Sequence, residues 1–147
     1  MAADENTLVL LYDNDPVSAK LIFDNFAKTE IAHQMRHMSS CESAMLYLKH
    51  SMENMPSDKS VKPQLIIFNV DNLNDDCKNI LNFVKNDKVL RRIPVLVFST
   101  RDDNQSIETA FQYKVNSYLV KPSEPKEFAK VIYEVANYWL KWNQLAP

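Results

Sequence analysis

The sequence predicts an α/β domain built on a parallel β-sheet with helices on both faces. Three observations lead there. Short apolar runs alternate with stretches of helical period along the chain, strand then helix, five times over. The links between them are short, and alternation with short links requires parallel crossovers. Three of the runs, Leu8–Tyr12, Leu65–Asn69 and Val95–Ser99, are apolar nearly throughout, as expected of parallel strands covered on both sides.

The first run, Leu-Val-Leu-Leu-Tyr at 8–12, reads as a buried strand. Asp13-Asn14-Asp15-Pro16 follows, with Asp15 suited to cap a helix and Pro16 to its first turn. Val17, Leu21, Ile22, Phe23 and Phe26 continue at helical spacing to about Thr29. Ile31 to Met38 is half-polar, a strand nearer an edge. Ser39-x-x-Glu42 is a capping-box pattern that opens a helix carrying Ala44, Met45, Leu48 and Met52. Residues 53–63 form a polar, proline-bounded loop, long for a compact domain. Pro63 marks the start of the third strand, which ends abruptly in Asn69. Asn72 to Asp76 is a polar turn, and Ile80, Leu81 and Val84 mark a helix ending near Asn86. Pro94 precedes the fourth strand, and a helix with Ile107, Ala110 and Phe111 comes next. Ser117 to Val120 is a short strand. Lys121-Pro122 then breaks the chain in a manner that fits a cis peptide bond. Ser123 caps a last helix with Phe128, Val131, Ile132, Val135 and Trp139 along its inner stripe.

At 147 residues the chain suits one domain, and 46% hydrophobic content is enough for a packed core. We expect residues 1–6 and 143–147 to be tails flanking a domain at 7–142. A net charge of −2 carries neither a nucleic-acid footprint nor a patch for anionic membranes. Met1 to Thr7 is polar and acidic, unlike a signal peptide, and no apolar run approaches the ~18 residues of a transmembrane segment. Cys41 and Cys77 lack metal-ligand spacing and read as free thiols of a cytoplasmic protein. Glycine is absent, so turns should rest on Asn, Asp, Ser or Pro, and a glycine phosphate cradle is excluded.

In a parallel sheet ligands bind beyond the carboxyl ends of the strands. The first strand delivers Asp13, Asn14 and Asp15 there. The third delivers Asn69 with Asp71 just beyond, the fourth Ser99 and Thr100, and the fifth Lys121. Some of these polar residues serve simply as loop polars or helix caps, the preferred reading for Asp15 and Ser123.

These residues resemble the motifs of a response-regulator receiver domain, the CheY-like family of two-component signalling. Asp13-Asn14-Asp15-Pro16 is similar to the family's acidic turn, and Pro63 to Asn69 to its phosphoacceptor strand. Ile93 to Thr100 resembles the strand ending in a switch Ser/Thr, at Ser99. Tyr118-Leu119-Val120-Lys121-Pro122 resembles the segment with the aromatic switch residue, the lysine and a cis-proline. The likeness spans residues 7–140. The ending Asn137-Tyr138-Trp139-Leu140 looks like single-domain regulators that partner bacterial phytochromes. The resemblance implies a flavodoxin-like (βα)5 fold with strand order 2-1-3-4-5.

Two departures matter. The family's phosphoacceptor aspartate falls on Asn69, and the second acid of its metal-binding pair falls on Asn14, leaving Asp13. The glycine and proline expected near Cys77 are missing as well. An amide is neutral and a poor nucleophile, so Asn69 forms no acyl phosphate. Mg²⁺ favours charged oxygens in octahedral geometry. A site of Asp13, Asn14, Asn69 and Asp71 should therefore bind it weakly or not at all. With fewer carboxylates in mutual repulsion, Lys121 is expected to pair mainly with Asp13.

The expected function is accordingly that of a stand-alone pseudo-receiver, not an enzyme and without a cofactor, acting through phosphorylation-independent protein contact. The alternative is a phosphorelay receiver using another acid, Asp71 or Asp13. Ser99 and Tyr118 keep the switch residue types. Tyr133, Tyr138, Leu140 and Trp142 fall outside the inner stripe of the last helix. With Tyr113 and Tyr118, the three aromatics among them suggest a homodimer or partner face on the fourth helix, fifth strand and fifth helix. A signalling protein such as a histidine kinase is the expected partner, with no nucleic acid and no membrane. His33, His37 and His50 read as surface residues.

Overall fold

A computed structural model describes residues 3–54 and 62–146. Its single sheet has five parallel strands: β1 (Leu8–Tyr12), β2 (Gln34–Met38), β3 (Leu65–Asn69), β4 (Val95–Ser99) and β5 (Ser117–Val120). Their order is β2-β1-β3-β4-β5. The helices are α1 (Pro16–Ala27), α2 (Cys41–Asn54), α3 (Asp75–Asn86), α4 (Asn104–Gln112) and α5 (Pro125–Asn137). The expected fold is thus observed, and the three uniformly apolar strands are the three central ones. Every residue of β1, β3 and β4 is buried. Most of the long loop expected at 53–63 lies outside the described residues.

Alternation of side chains across the sheet divides the core in two. Val9, Leu11, Leu65, Ile67, Leu96 and Phe98 pack with Ile22, Phe26, Phe128 and Ile132 of α1 and α5. Leu10, Tyr12, Ile66, Phe68, Val95 and Val97 pack with Leu48, Cys77, Ile80 and Leu81 of α2 and α3. Two-sided cover is what allows consecutive residues to be apolar. β2 lies at one edge and is largely exposed, with only Met38 buried, which explains its half-polar sequence.

Helix starts follow local hydrogen-bond chemistry, with some shifts from expectation. Asp15 caps α1 by accepting from Val17 N–H at 3.0 Å, with Pro16 in the first turn. The capping residue of α2 is Ser40, not Ser39: its Oγ accepts from Ser43 N–H at 3.1 Å. α5 begins at Pro125 after Glu124, so Ser123 is not its cap. Pro at the first helical position fixes the start by itself. No cis peptide bond occurs among the described residues, so Lys121–Pro122 is trans, the isomer an X–Pro bond ordinarily favours.

Without glycine, the left-handed positions fall on Glu30 (φ 60°) and Lys114 (φ 66°), not on the Asn, Asp, Ser or Pro expected at turns. At Lys114 the reason is the end of α4. Lys114 N–H bonds Phe111 C=O at 3.0 Å and Val115 N–H bonds Ala110 C=O at 3.4 Å. That pair of bonds is a Schellman closure, which needs a left-handed residue whatever its side chain. Beyond α5 the chain adds a π-helical turn, Tyr138–Trp142. Leu140 continues the row of Ile132 and Ala136 and is buried, contrary to its expected outward position.

Candidate functional site

Strand register builds the site. Tyr12 pairs with Phe68, Asn69 with Phe98 and Ser99 with Val120. Asp13, Asn69, Ser99 and Lys121 therefore reach the carboxyl edge at nearly one level. Backbone bonds extend the ladder past the strands: Asp13 N–H to Met38 C=O at 3.0 Å, Val70 N–H to Phe98 C=O at 3.0 Å and Lys121 N–H to Ser99 C=O at 2.7 Å. These fix where the side chains begin.

At the centre is the Asn69 carboxamide, 4% exposed. Its Nδ2 donates to Oδ2 of Asp13 at 2.7 Å and to Oγ of Ser18 at 2.7 Å. Its Oδ1 accepts from Nζ of Lys121 at 2.9 Å. Asp13 is 1% exposed, and its other oxygen, Oδ1, accepts from Asp15 N–H at 2.9 Å. The expectation that Lys121 pairs mainly with Asp13 is corrected here. The ammonium bonds the amide oxygen, because an amide can present an acceptor to the cation and a donor to the anion at once.

The other polar residues form a second network beside the first. Ser99 Oγ donates to Asp71 C=O at 3.1 Å and accepts from Arg101 N–H at 3.0 Å. Oδ1 of Asp71 accepts from Thr100 N–H at 2.9 Å and from Thr100 Oγ1 at 2.7 Å. The Thr100 backbone bond, joined by its hydroxyl and by Lys121 and Arg101 nearby, outweighs partial desolvation and holds the Asp71 carboxyl below its ordinary value. Asp71 thus latches the β3–α3 loop to the β4–α4 loop. Asn14 is exposed, outside both networks.

Tyr118 is half-buried, and its hydroxyl donates to Arg101 C=O at 2.7 Å. With Val70, Asp71, Lys78, Arg101 and Thr109 it lines a cleft of about 300 Å³. Tyr113 also packs on the α3 side, under the Lys78 ammonium at 5.5 Å. Tyr133, Tyr138 and Trp142 stand apart from them, exposed on α5 and the turn that follows. The five aromatics named from the sequence therefore divide into two sets.

Sequence reading missed two participants. Ser18 lies in the first turn of α1, and only its position five residues after Asp13 hints at the site. By sequence His37 reads as a surface residue. It is exposed, yet its Nε2 lies 2.6 Å from Asp13 C=O and joins β2 to the acidic turn. His33 sits edge-on to the Phe26 ring, and His50 is exposed on α2.

No protein-family model matches the chain. It is 25% identical over 144 residues to the probable methanogenesis regulatory protein FilR2 of Methanothrix harundinacea, covering 98% of this chain and 90% of that one. It is 24% identical over 134 residues to response regulator Rcp1 of Synechocystis, covering 91% and 89%. The crystal structure of the phosphorylated cyanobacterial phytochrome response regulator RcpA superposes with a TM-score of 0.80 at 23% identity, covering 96% of this chain and 99% of that one. The chain has the fold of response-regulator receiver domains. In this fold β3 ends in Asn69, whose Nδ2 and Oδ1 are both hydrogen-bonded.

Proposed function

We propose that this receiver domain is an atypical, pseudo-receiver regulator of two-component signalling that acts by phosphorylation-independent contact with another protein. One observation carries the reading: both amide N–H groups and the amide oxygen of Asn69 are engaged by Asp13, Ser18 and Lys121. An amide is a poor nucleophile, and this one is held in a closed network that supports the pocket without ligand.

The divalent cation that receivers use does not fit this donor set. Among the described residues Asp13 is the one carboxylate hydrogen-bonded to Asn69, and each of its oxygens already accepts an N–H. Asp15 is occupied with Val17 N–H and Asp71 with Thr100. Mg²⁺ requires hard oxygens in near-octahedral array, and the amide nitrogen of Asn69 faces the position between it and Asp13. Calorimetric titration with Mg²⁺ tests this directly, and micromolar affinity would overturn it.

The surface for contact is proposed to lie on α4, β5 and α5. Phe111, Val120, Tyr133, Tyr138 and Trp142 are exposed on those elements and on the turn after α5. Exposed aromatics in such number suit an interface better than bulk water. A homodimer through this face, and a signalling partner such as a histidine kinase, follow from the reading. No helix among the described residues is long and apolar enough to cross a membrane, and a cytoplasmic setting suits the proposed role.

The second reading is a phosphorelay receiver that uses Asp71 or Asp13 as acceptor. In its favour, Asp71 is exposed at the mouth of the cleft, near Arg101, and RcpA, a structural relative, is described in a phosphorylated form. Incubation with acetyl phosphate followed by intact mass separates the two. An unchanged mass supports the pseudo-receiver, and a hydroxylamine-labile phosphoryl adduct mapped to Asp71 or Asp13 supports the relay.

A further inference from the structure

The cleft bordered by Tyr118 combines two chemistries. It opens between the starts of α3 and α4, reaches Val97 of β4, and holds about 300 Å³. Small-molecule sites run from roughly 300 to 1,000 Å³, so it suits a small occupant. Val70, Leu73, Val97 and the Tyr118 ring supply apolar surface, while Lys78, Arg101 and Thr109 supply donors.

Two carboxylates also line the cleft, and both are engaged. Asp71 accepts from the N–H and hydroxyl of Thr100. Asp103 accepts from Ser106 N–H at 3.0 Å, from the Ser106 hydroxyl at 2.8 Å and from Arg101 Nε at 3.1 Å. These backbone bonds hold both acids below their ordinary values, so both are charged at neutral pH. The cations are less fully used. Among the described residues, the bond from Arg101 to Asp103 employs Nε, and the Nη donors remain. Lys78 makes no ion pair among the described residues. Its ammonium lies 5.5 Å from the centroid of the Tyr113 ring, an attraction that leaves the charge in place. The Arg101 backbone is fixed at both ends. Its N–H donates to Ser99 Oγ at 3.0 Å, and its C=O accepts from the Tyr118 hydroxyl at 2.7 Å. Arg101 and the aromatic ring are thus set in place before any ligand arrives, which lowers the ordering cost of binding.

We propose that this cleft is a binding site for a small aromatic carboxylate, its anionic end drawn to Lys78 and Arg101 and its ring laid against Tyr118, Val70 and Leu73. The proposal goes beyond the pseudo-receiver reading and does not rest on it, since Asn69, Asp13 and Lys121 are not among the lining residues.

The walls select the ligand's charge. Lys78 and Arg101 attract an anion, and a planar carboxylate matches the guanidinium edge. Asp71 and Asp103 repel a second negative charge, which disfavours a phosphate monoester of nearly two charges. A neutral ring keeps the apolar contacts and loses the cations. An occupant lies against the tyrosine that ties the β4–α4 loop to β5, giving the domain a chemical input other than phosphate.

The experiment titrates the nitrogen-15-labelled full chain with indole-3-carboxylate and follows the amide shifts, with indole and phenyl phosphate as the neutral and doubly charged comparisons. The expected result is saturable shifts centred on residues 70–73, 101–109 and 118, with a Kd of about 1 mM or tighter. Each comparison compound should bind at least about tenfold more weakly. Lys78→Met keeps the side-chain length at a partly exposed position and should weaken binding about tenfold with an unchanged thermal midpoint. A further arm needs no variant: raising salt from about 50 mM to 0.5 M should weaken binding severalfold. Shifts centred elsewhere, or none that saturate by about 10 mM, would overturn the site. Indole binding as tightly, phenyl phosphate binding more tightly, or affinity indifferent to both Lys78→Met and salt would overturn the assigned chemistry.

Discussion

Nζ of Lys121 and Oδ2 of Asp13 bind opposite ends of one amide, at 2.9 Å from Oδ1 and 2.7 Å from Nδ2 of Asn69. An aspartate at position 69 would keep the bond to Lys121 but set oxygen against oxygen at Asp13 and lose the donor to Ser18. Asn69→Asp should therefore lower stability by about 1–3 kcal/mol in metal-free buffer. Repulsion raises the pKa of one carboxyl above its unfolded value, so the deficit should grow as pH rises through that value and shrink on acidification. Added Mg²⁺ should raise the melting temperature of the variant and leave the parent unchanged. A variant as stable as the parent without metal would mean that the amide network does not hold in solution.

Lys121→Met keeps the length of the side chain and removes the donor to Oδ1 of Asn69. Leaving that oxygen unpaired should cost roughly 1–2 kcal/mol, read as a lower urea midpoint at constant slope. Ser18→Ala removes an acceptor on the other side of the same amide and should cost about 1 kcal/mol. The double variant tests whether the three residues act as one unit. Since both changes act through Asn69, the combined loss should depart from the sum by at least ~0.5 kcal/mol.

The sheet was legible in the sequence because burial on both faces leaves an unmistakable apolar run at β1, β3 and β4. The polar residues at the carboxyl ends of β1, β3, β4 and β5 follow from strand direction alone, which is why Asp13, Asn69, Ser99 and Lys121 are legible in the sequence. What sequence could not supply was side-chain direction across space. The Lys121 bond to the amide and the Ser18 bond beside it both depend on how side chains meet across strands and on how α1 seats on the sheet. Cap positions at Ser40 and Glu124 missed by one residue, because neighbouring serines and a following proline make adjacent starts nearly equivalent. The left-handed sites were hidden for another reason. Without glycine to mark them, Glu30 and Lys114 carry no local signal.

Lys114 is the clearest place to gain stability. A side chain with Cβ pays roughly 1–2 kcal/mol to hold the left-handed conformation, and glycine does not. Glycine also widens the unfolded ensemble, which offsets part of the gain. Lys114→Gly should stabilise the protein by about 0.5–1 kcal/mol and raise the thermal midpoint by a few degrees. A lower midpoint would show that Lys114 makes a contact worth more than its backbone cost.

The Asp71 latch gives a pH dependence whose sign is fixed. Its folded pKa is lowered, chiefly by the Thr100 N–H bond, so the folded state favours the charged form. Its contribution is complete above the ordinary carboxylate value of about 3.9 and is lost as pH falls below that through the lowered folded value. Hydrogen exchange at the Thr100 amide should accelerate, relative to its intrinsic rate, across that interval. Asp71→Asn should show weaker protection at neutral pH and little further change on acidification.

The aromatic face yields the last prediction. Tyr133, Tyr138 and Trp142 are 51%, 52% and 69% exposed, while Leu140 among them is 3% exposed and anchors the turn to the core. Removing Trp142 therefore takes little from the fold. Its ring is held by the Lys141 ammonium 5.7 Å away, and Tyr138 is braced edge-on by Trp139 at 5.0 Å, so the aromatic groups enter an interface partly ordered, which lowers the entropy lost on association. Trp at the centre of an interface typically contributes about 2 kcal/mol or more. Trp142→Ala should weaken self-association by roughly thirtyfold in sedimentation velocity with an unchanged urea midpoint. A parent chain that stays monomeric at high concentration would assign this face to a different protein, and loss of stability in the variant would assign Trp142 to the core.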